Sequence, residues 1–204
     1  MRVSVTLLDS FLYWKYGEFF TEDAERKSYN ELVSRIKGER TPQTEAMVRS
    51  IAFHKICEKP ALYVDGAVFE CDGWVFDWKS TQEFIEKLPE DRVTEVKMVE
   101  EVRGHTLVGK ADYLRGVCAG DYKLSKKVTP DKYADSIQWK AYCLLSGVKK
   151  FTYHVAQPRE NRKTGVVSLH DAKEFTYYPT HATDHQVLST IDEFAEFAEA
   201  IKCP

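Results

Sequence analysis

The chain reads as a mixed α/β fold, a central sheet with helices packed on it. Three observations carry that reading. Apolar and polar residues alternate through several segments, the period-two signature of strands. Stretches with helical spacing lie before, between and after those segments. The 204 residues are 43% hydrophobic and 13% aromatic, enough to build a core around a sheet.

Taken in order, residues 22–37 are expected to be helical, and "KGERTPQTE" breaks the pattern. A second helix is predicted over residues 42–57, because Pro42 suits a helical first turn. On it Met47, Ile51 and His54 fall at i, i+4 and i+7 and share one face. "AVFECDGWVFDW" is a hairpin signal, with Asp72-Gly73 at the turn. "STQEFIEKLP" predicts a short helix capped by Ser80 or Thr81. Three strands follow, "TEVKMVEEV", "TLVGKADYL" and "VCAGDYKL". "PDKYADSIQWKAYCLLSG" predicts one helix, opened by Pro130 and closed by Gly147. "KKFTYHVAQ" and "VVSLHDAKEFTYY" are two more strands. A final helix is expected over about 184–201, where Ile191, Phe194, Ala198 and Ile201 form an apolar stripe. There is no internal repeat and no linker, so residues 1–204 are read as one domain.

Composition excludes several classes. No apolar run approaches the roughly 18 residues that span a bilayer. The first twenty residues lack the pattern of a secretory signal, so the protein is expected to be intracellular and cytoplasmic, in the host cytoplasm for a viral gene product. The five cysteines, Cys57, Cys71, Cys118, Cys143 and Cys203, form no C-x-x-C pair and are read as buried thiols. The net charge of −3 gives no global basic field for nucleic acid. Local clusters exist at Lys123, Lys126, Lys127 and Lys132, and at Arg159, Arg162 and Lys163; on charge alone each is a solvated face.

The informative stretch is "LVGKADYLRGVCAGDYKLSKK", residues 107–127. If Arg115-Gly116 is a two-residue turn, Asp112 faces Ala119 and shares a sheet face with Asp121 and Lys123. Two carboxylates so placed repel unless a cation lies between them. Hard oxygen ligands suit Mg²⁺, and a lysine beside such an ion can position or deprotonate a water. The trio alone supports two readings, a solvated edge hairpin and a phosphodiester-hydrolysing site. Two neighbours add weight to the second. Gln138 and Tyr142, in "QWKAY", project from one helix face, and His54 offers an imidazole that suits Mn²⁺ better than Mg²⁺.

In order, "RSIAFHK", "GKAD", "DYK" and "QWKAY" resemble the RecB-type branch of the PD-(D/E)xK nucleases, which includes phage recombination exonucleases and CRISPR-associated nucleases. The resemblance covers residues 46–147. It implies a restriction-endonuclease-like core and a DNA exonuclease acting at double-stranded ends. By this resemblance His54, Asp112, Asp121 and the backbone carbonyl of Tyr122 are metal ligands. Asp112, Asp121 and Lys123 carry the catalysis, and Lys123 activates or orients the attacking water. Gln138 and Tyr142 contact DNA near the cut, and Lys126 and Lys127 are assigned to DNA as well. The implied products end in 5′-phosphate and 3′-hydroxyl. The implied cofactor is Mg²⁺ or Mn²⁺; the implied partner is a single-strand annealing protein, with a homo-oligomeric ring in processive members.

Two departures matter. Ser50 stands where the family often has glycine, and no paired cysteines follow Cys143, so no iron–sulfur cluster is expected. Without a G-x-x-x-x-G-K-[ST] loop, no ATP requirement is expected. The rivals are a structure-selective or restriction-type endonuclease and a catalytically silent DNA-binding domain. His181 and His185, four apart, are not read as a zinc pair, because a Thr183–Gln186 capping box would leave His181 outside the helix. "SLHD" is read as a strand end, Glu95 as an exposed strand carboxylate, and "PRENRKTG" as either a phosphate-contacting loop or a solvated hairpin tip.

Overall fold

The structure is a computed structural model that describes residues 1–39 and 41–202, with only the backbone of Lys202; Cys203 lies outside the described residues. The elements are β1 (Arg2–Ser4), α1 (Val5–Tyr16), α2 (Glu22–Ile36), α3 (Glu45–Glu58), β2 (Val64–Asp65), β3 (Val68–Cys71), β4 (Trp74–Asp77) and α4 (Trp78–Ile85). Then come β5 (Val93–Val102), β6 (His105–Arg115), β7 (Cys118–Leu124), α5 (Pro130–Ala134), α6 (Ile137–Ser146), β8 (Lys150–Glu160), β9 (Val167–Tyr177) and α7 (His181–Lys202). Nine strands form one mixed sheet in the order β1-β6-β7-β8-β9-β4-β3-β2, with β5 also on β6. β7 and β8 are parallel, and a parallel pair needs a crossover, which α5 and α6 supply.

Two apolar cores lie against this sheet. One gathers Leu8 and Phe11 of α1, Leu32 of α2, most of α6, and Val187, Ile191 and Phe194 of α7. The other gathers Ala52, Phe53, Ile56 and Cys57 of α3 with Phe84 of α4. Alternation along β8 feeds both: Phe151, Tyr153 and Val155 join the first core, Ala156 the second.

Local chemistry explains where several boundaries differ from expectation. α3 begins at Glu45, not Pro42, because Thr44 Oγ1 accepts the Met47 amide and so caps it. Asp77, rather than Ser80 or Thr81, caps α4 through the Ser80 amide at 2.8 Å. The helix expected over 130–147 is two helices, since Ser136 Oγ accepts the Gln138 amide and starts a new one. Gly147 closes it in the left-handed conformation, φ 66°. α7 starts earlier than residue 184: Thr180 and Thr183 cap each other's amides, at 2.8 and 3.3 Å. His181 and His185 therefore both lie on the helix, four residues apart and exposed, which corrects the ground on which they were set aside. Asp72-Gly73 turns its hairpin with positive φ at both residues, as predicted. "SLHD" lies in the first turns of pairing of β9. Of the four described cysteines three are buried, and Cys118 is only half-buried.

Candidate active site

The site is built on the β6–β7 hairpin. Its register pairs Tyr113 with Gly120, Leu114 with Ala119 and Arg115 with Cys118. The loop is therefore Gly116-Val117, not Arg115-Gly116. Gly116 takes φ 54°, and a two-residue loop with glycine first is the type II′ arrangement. The pairing is shifted by two residues from the expected one, and an even shift keeps the paired residues on their predicted faces.

Past those three pairs the strands part. β7 continues along β8 to Leu124, while residues 106–108 of β6 pair with β1. Residues 109–112 thus border an open fork. Asp112 lies at a break in the alternation of β6: Ala111 and Leu114 both pack with the first core, and Tyr113 packs with the second. The opposed residue, Glu95, has φ 57° and makes no ladder pair. At that break Asp112 reaches across the fork. Its Oδ2 accepts the amide of Tyr122 at 2.6 Å, and its Oδ1 lies 3.2 Å from His54 Nδ1. A plain hairpin face does not describe this geometry, since the aspartate bridges β7 and α3.

His54 reaches the fork because its helix buries Phe53, Ile56 and Cys57, which turns the face of Met47, Ile51 and His54 outward. Arg92, from the segment before β5, ties the parts together. Its guanidinium donates to Tyr122 Oη at 2.9 Å, to the Cys57 carbonyl at 2.7 Å and to the Pro89 carbonyl at 2.7 Å.

Asp121 is 3% exposed, and Lys123 Nζ lies 2.7 Å from its Oδ2. That buried oxygen nonetheless has no aligned hydrogen bond. Burial, helped by the charge of Asp112, pushes the Asp121 carboxyl up to about 6 against the pull of Lys123 and His54. Burial works against the Lys123 ammonium, but Asp121 and Asp112 more than offset it and raise its pKa. Asp112 is held below the ordinary carboxylate value against its burial by His54, Lys123 and the Tyr122 amide. His54 is raised against its burial by the same Asp112 contact.

Two hollows flank these residues. One, of about 320 Å³, is lined by Ser50, His54, Glu58, Glu95, Lys110 and Asp112. Glu95 pairs with Lys110 there, and its side chain remains 36% exposed. Glu58, one turn after His54, is pushed up to about 7 by burial and by facing Glu95. The other, a cleft of about 710 Å³, is lined by residues that include Asp9, Lys123, Lys132, Gln138 and Tyr153. Asp9 is exposed on the wall of this cleft, and partial desolvation there raises its pKa against the charge of Lys123. Gln138 and Tyr142 are both buried, with Gln138 Nε2 donating to Tyr142 Oη at 3.4 Å. A Cβ on Gly109 would come within 2.8 Å of the Tyr142 ring, so glycine lets α6 lie against β6. Lys126 and Lys127 are exposed beyond the end of β7. The 161–165 turn between β8 and β9 is exposed too.

Glu58 and Lys110 join the site without having been singled out for it. Glu58 was legible as the i+4 neighbour of His54; Asp9 and Arg92 carry no local signal.

No family model and no curated protein matches the chain. Solved structures do. An alkaline exonuclease from Laribacter hongkongensis, crystallised in complex with dAMP, is 15% identical with a TM-score of 0.54 over 98% of this chain and 90% of that one. A phage-related exonuclease from Haemophilus somnus 129PT is 9% identical with a TM-score of 0.53 over 98% and 93%. No helix among the described residues is long and apolar enough to cross a membrane. On the sheet order, the forked hairpin and these likenesses, the chain has the fold of the PD-(D/E)xK exonucleases.

Proposed function

We propose that the chain is a divalent-metal-dependent deoxyribonuclease that removes nucleotides from double-stranded ends, as in phage-type recombination. The observation that carries this is the forked hairpin, which sets two buried carboxylates, Asp112 and Asp121, and the cationic Lys123 between two adjoining hollows. A binding domain gains nothing from burying carboxylates beside a polyanion. The fold, shared with structures titled exonucleases, supports the reading.

The residues fit a metal. Asp121 Oδ2 is a buried acceptor without an aligned hydrogen bond, and a dication would satisfy it. Among the described residues no three His, Cys, Asp or Glu side chains gather into a ligand set. An ion here would be held by few protein atoms and would complete its shell with water, the usual manner of Mg²⁺. Asp112, Asp121 and the Tyr122 carbonyl would hold Mg²⁺ or Mn²⁺, with His54 nearest to Asp112. The bound ion supplies Lewis acidity toward the scissile phosphate. Lys123 keeps its proton at neutral pH, because its raised pKa makes it a poor base. Its part is to stabilise developing charge and to orient the water through Nζ. Gln138 borders the same cleft and meets the DNA strand, and Lys126 and Lys127 take up phosphates beyond it. A single-strand annealing protein as partner and a homo-oligomeric state belong to the same proposal.

A digestion time course tests it, with Mg²⁺ or Mn²⁺ and linear duplex, linear single-stranded and closed circular DNA. Loss of linear duplex only, abolished by chelator and by Lys123→Ala, is the expected result. Nicked circles would show an endonuclease instead. Intact DNA of every form, with tight binding retained, would show a silent binding domain.

A further inference from the structure

We infer that the cleft beside Lys123 is a base-stacking site, in which Tyr13 and Tyr16 hold an unpaired nucleobase of the strand being cut. The inference rests on the nuclease reading above and specifies its substrate as an end with unstacked bases.

The C-terminal half of α1 is where the argument starts. Its inner face carries Leu8 and Phe11 into the core, 0% and 2% exposed. Tyr13 and Tyr16 turn the other way and are 62% and 66% exposed. Phe20, just past the helix, is 100% exposed. Three large aromatic side chains within eight residues are thus left in water. Their burial would be worth far more than their exposure if the chain alone were considered. The two tyrosines adjoin one hollow. Tyr13 and Tyr16 line the 710 Å³ cleft together with Tyr133, Tyr153, Lys123 and Lys132.

The cleft lining combines two chemistries. Lys123 and Lys132 supply positive charge, Lys123 next to Asp121, where a phosphate would be cut. Tyr13, Tyr16, Tyr133 and Tyr153 supply aromatic surface. A nucleotide matches both, with an anionic phosphate and a flat apolar base. The carboxylates of Asp9 and Asp135 in the lining repel further phosphates, which leaves the uncharged base as the part that enters. The volume lies within the range of ligand pockets, roughly 300–1,000 Å³. Base–aromatic stacking needs no particular sequence, since every base has a π-face. Lys123 lines the cleft, so its occupant is the strand that reaches Lys123.

The test uses metal-free full-length protein in chelator, with a duplex whose short single-stranded end carries 2-aminopurine. Stacking quenches that fluorophore. Wild type and the Tyr13→Phe/Tyr16→Phe variant should quench it alike. Tyr13→Leu/Tyr16→Leu keeps apolar bulk but loses the π-faces; it should lose the quench and bind about tenfold more weakly. Both positions are exposed, so unchanged thermal melting is expected and is the control for folding. Leucine variants that quench and bind like wild type would overturn the inference while leaving the nuclease reading intact. Wild type that binds no DNA at all would bring both down together.

Discussion

Gly120→Ala would test the packing on which the fork depends. Gly120 pairs with Tyr113, and the ring of Tyr113 lies flat over the space a side chain would need. A Cβ there would overlap Cε1, Cζ and Oη of that ring. The ring has nowhere to go: Tyr113 is 2% exposed, stacks on Tyr122 at 5.8 Å, and shares a 2.9 Å hydrogen bond with His154. Overpacking a tight core costs about 1–3 kcal/mol. Losing the Tyr113–His154 bond, with both partners buried, adds about 1–2 kcal/mol. The expected total is about 2–5 kcal/mol, read as a drop in the urea midpoint at unchanged m. For a chain of this size Tm should fall by about 2–4 °C per kcal/mol. Gly120→Ala combined with Tyr113→Leu should recover part of the loss, a coupling that a double-mutant cycle measures. A single variant within about 0.5 kcal/mol of wild type would refute the reasoning, because the ring would then be free to move.

Other expectations follow from the same region. Arg92→Met strips the donors from Tyr122 Oη and two carbonyls and should cost about 2–4 kcal/mol in chemical denaturation; a cost below about 1 kcal/mol would mean water replaces it. Glu58 binds its proton more readily folded than unfolded, because burial and Glu95 raise it to about 7 from 4.5. Stability should therefore fall as pH rises through that interval, and Glu58→Gln should flatten the slope in urea midpoints across it. His154 has the opposite sign: burial, with Arg92 and Lys150, lowers it from 6.5 to about 4. The unfolded chain takes the proton first, so acidification through that window should remove about 3 kcal/mol, and His154→Gln should lose less. An unchanged acid transition in His154→Gln would sink that assignment.

What local sequence could say, it said well. The Asp72-Gly73 hairpin and the Gly147 helix stop are decided within a few residues and were legible. α1 was legible and passed over: Ser4 is a cap, and Val5, Leu8 and Phe11 recur at helical spacing behind it. So was the cap at Ser136, masked by Pro130, which opens a first short helix instead of the whole one. The hairpin register failed on one detail, the position of Gly116 in its turn, and the even shift preserved the faces. The groups His54, Asp112, Asp121 and Lys123 were picked from motif order, but their partnerships were not readable. The Asp112 contact with the Tyr122 amide and the Arg92 bonds join segments distant in sequence, and no spacing rule encodes them.

The Asp112–Tyr122 contact bears on how such a chain could lose its activity over evolutionary time. Asp112 serves the backbone as well as the proposed chemistry, since it accepts the Tyr122 amide where the two strands separate. A change there injures folding and function at once, and selection for a folded protein would resist it. Lys123 is under no such double obligation, as its side chain is 31% exposed and pairs only through its charge. Inactive descendants of this fold should therefore shed the lysine first and keep the first aspartate, so that a retained Asp112 testifies to architecture and a retained Lys123 testifies to catalysis.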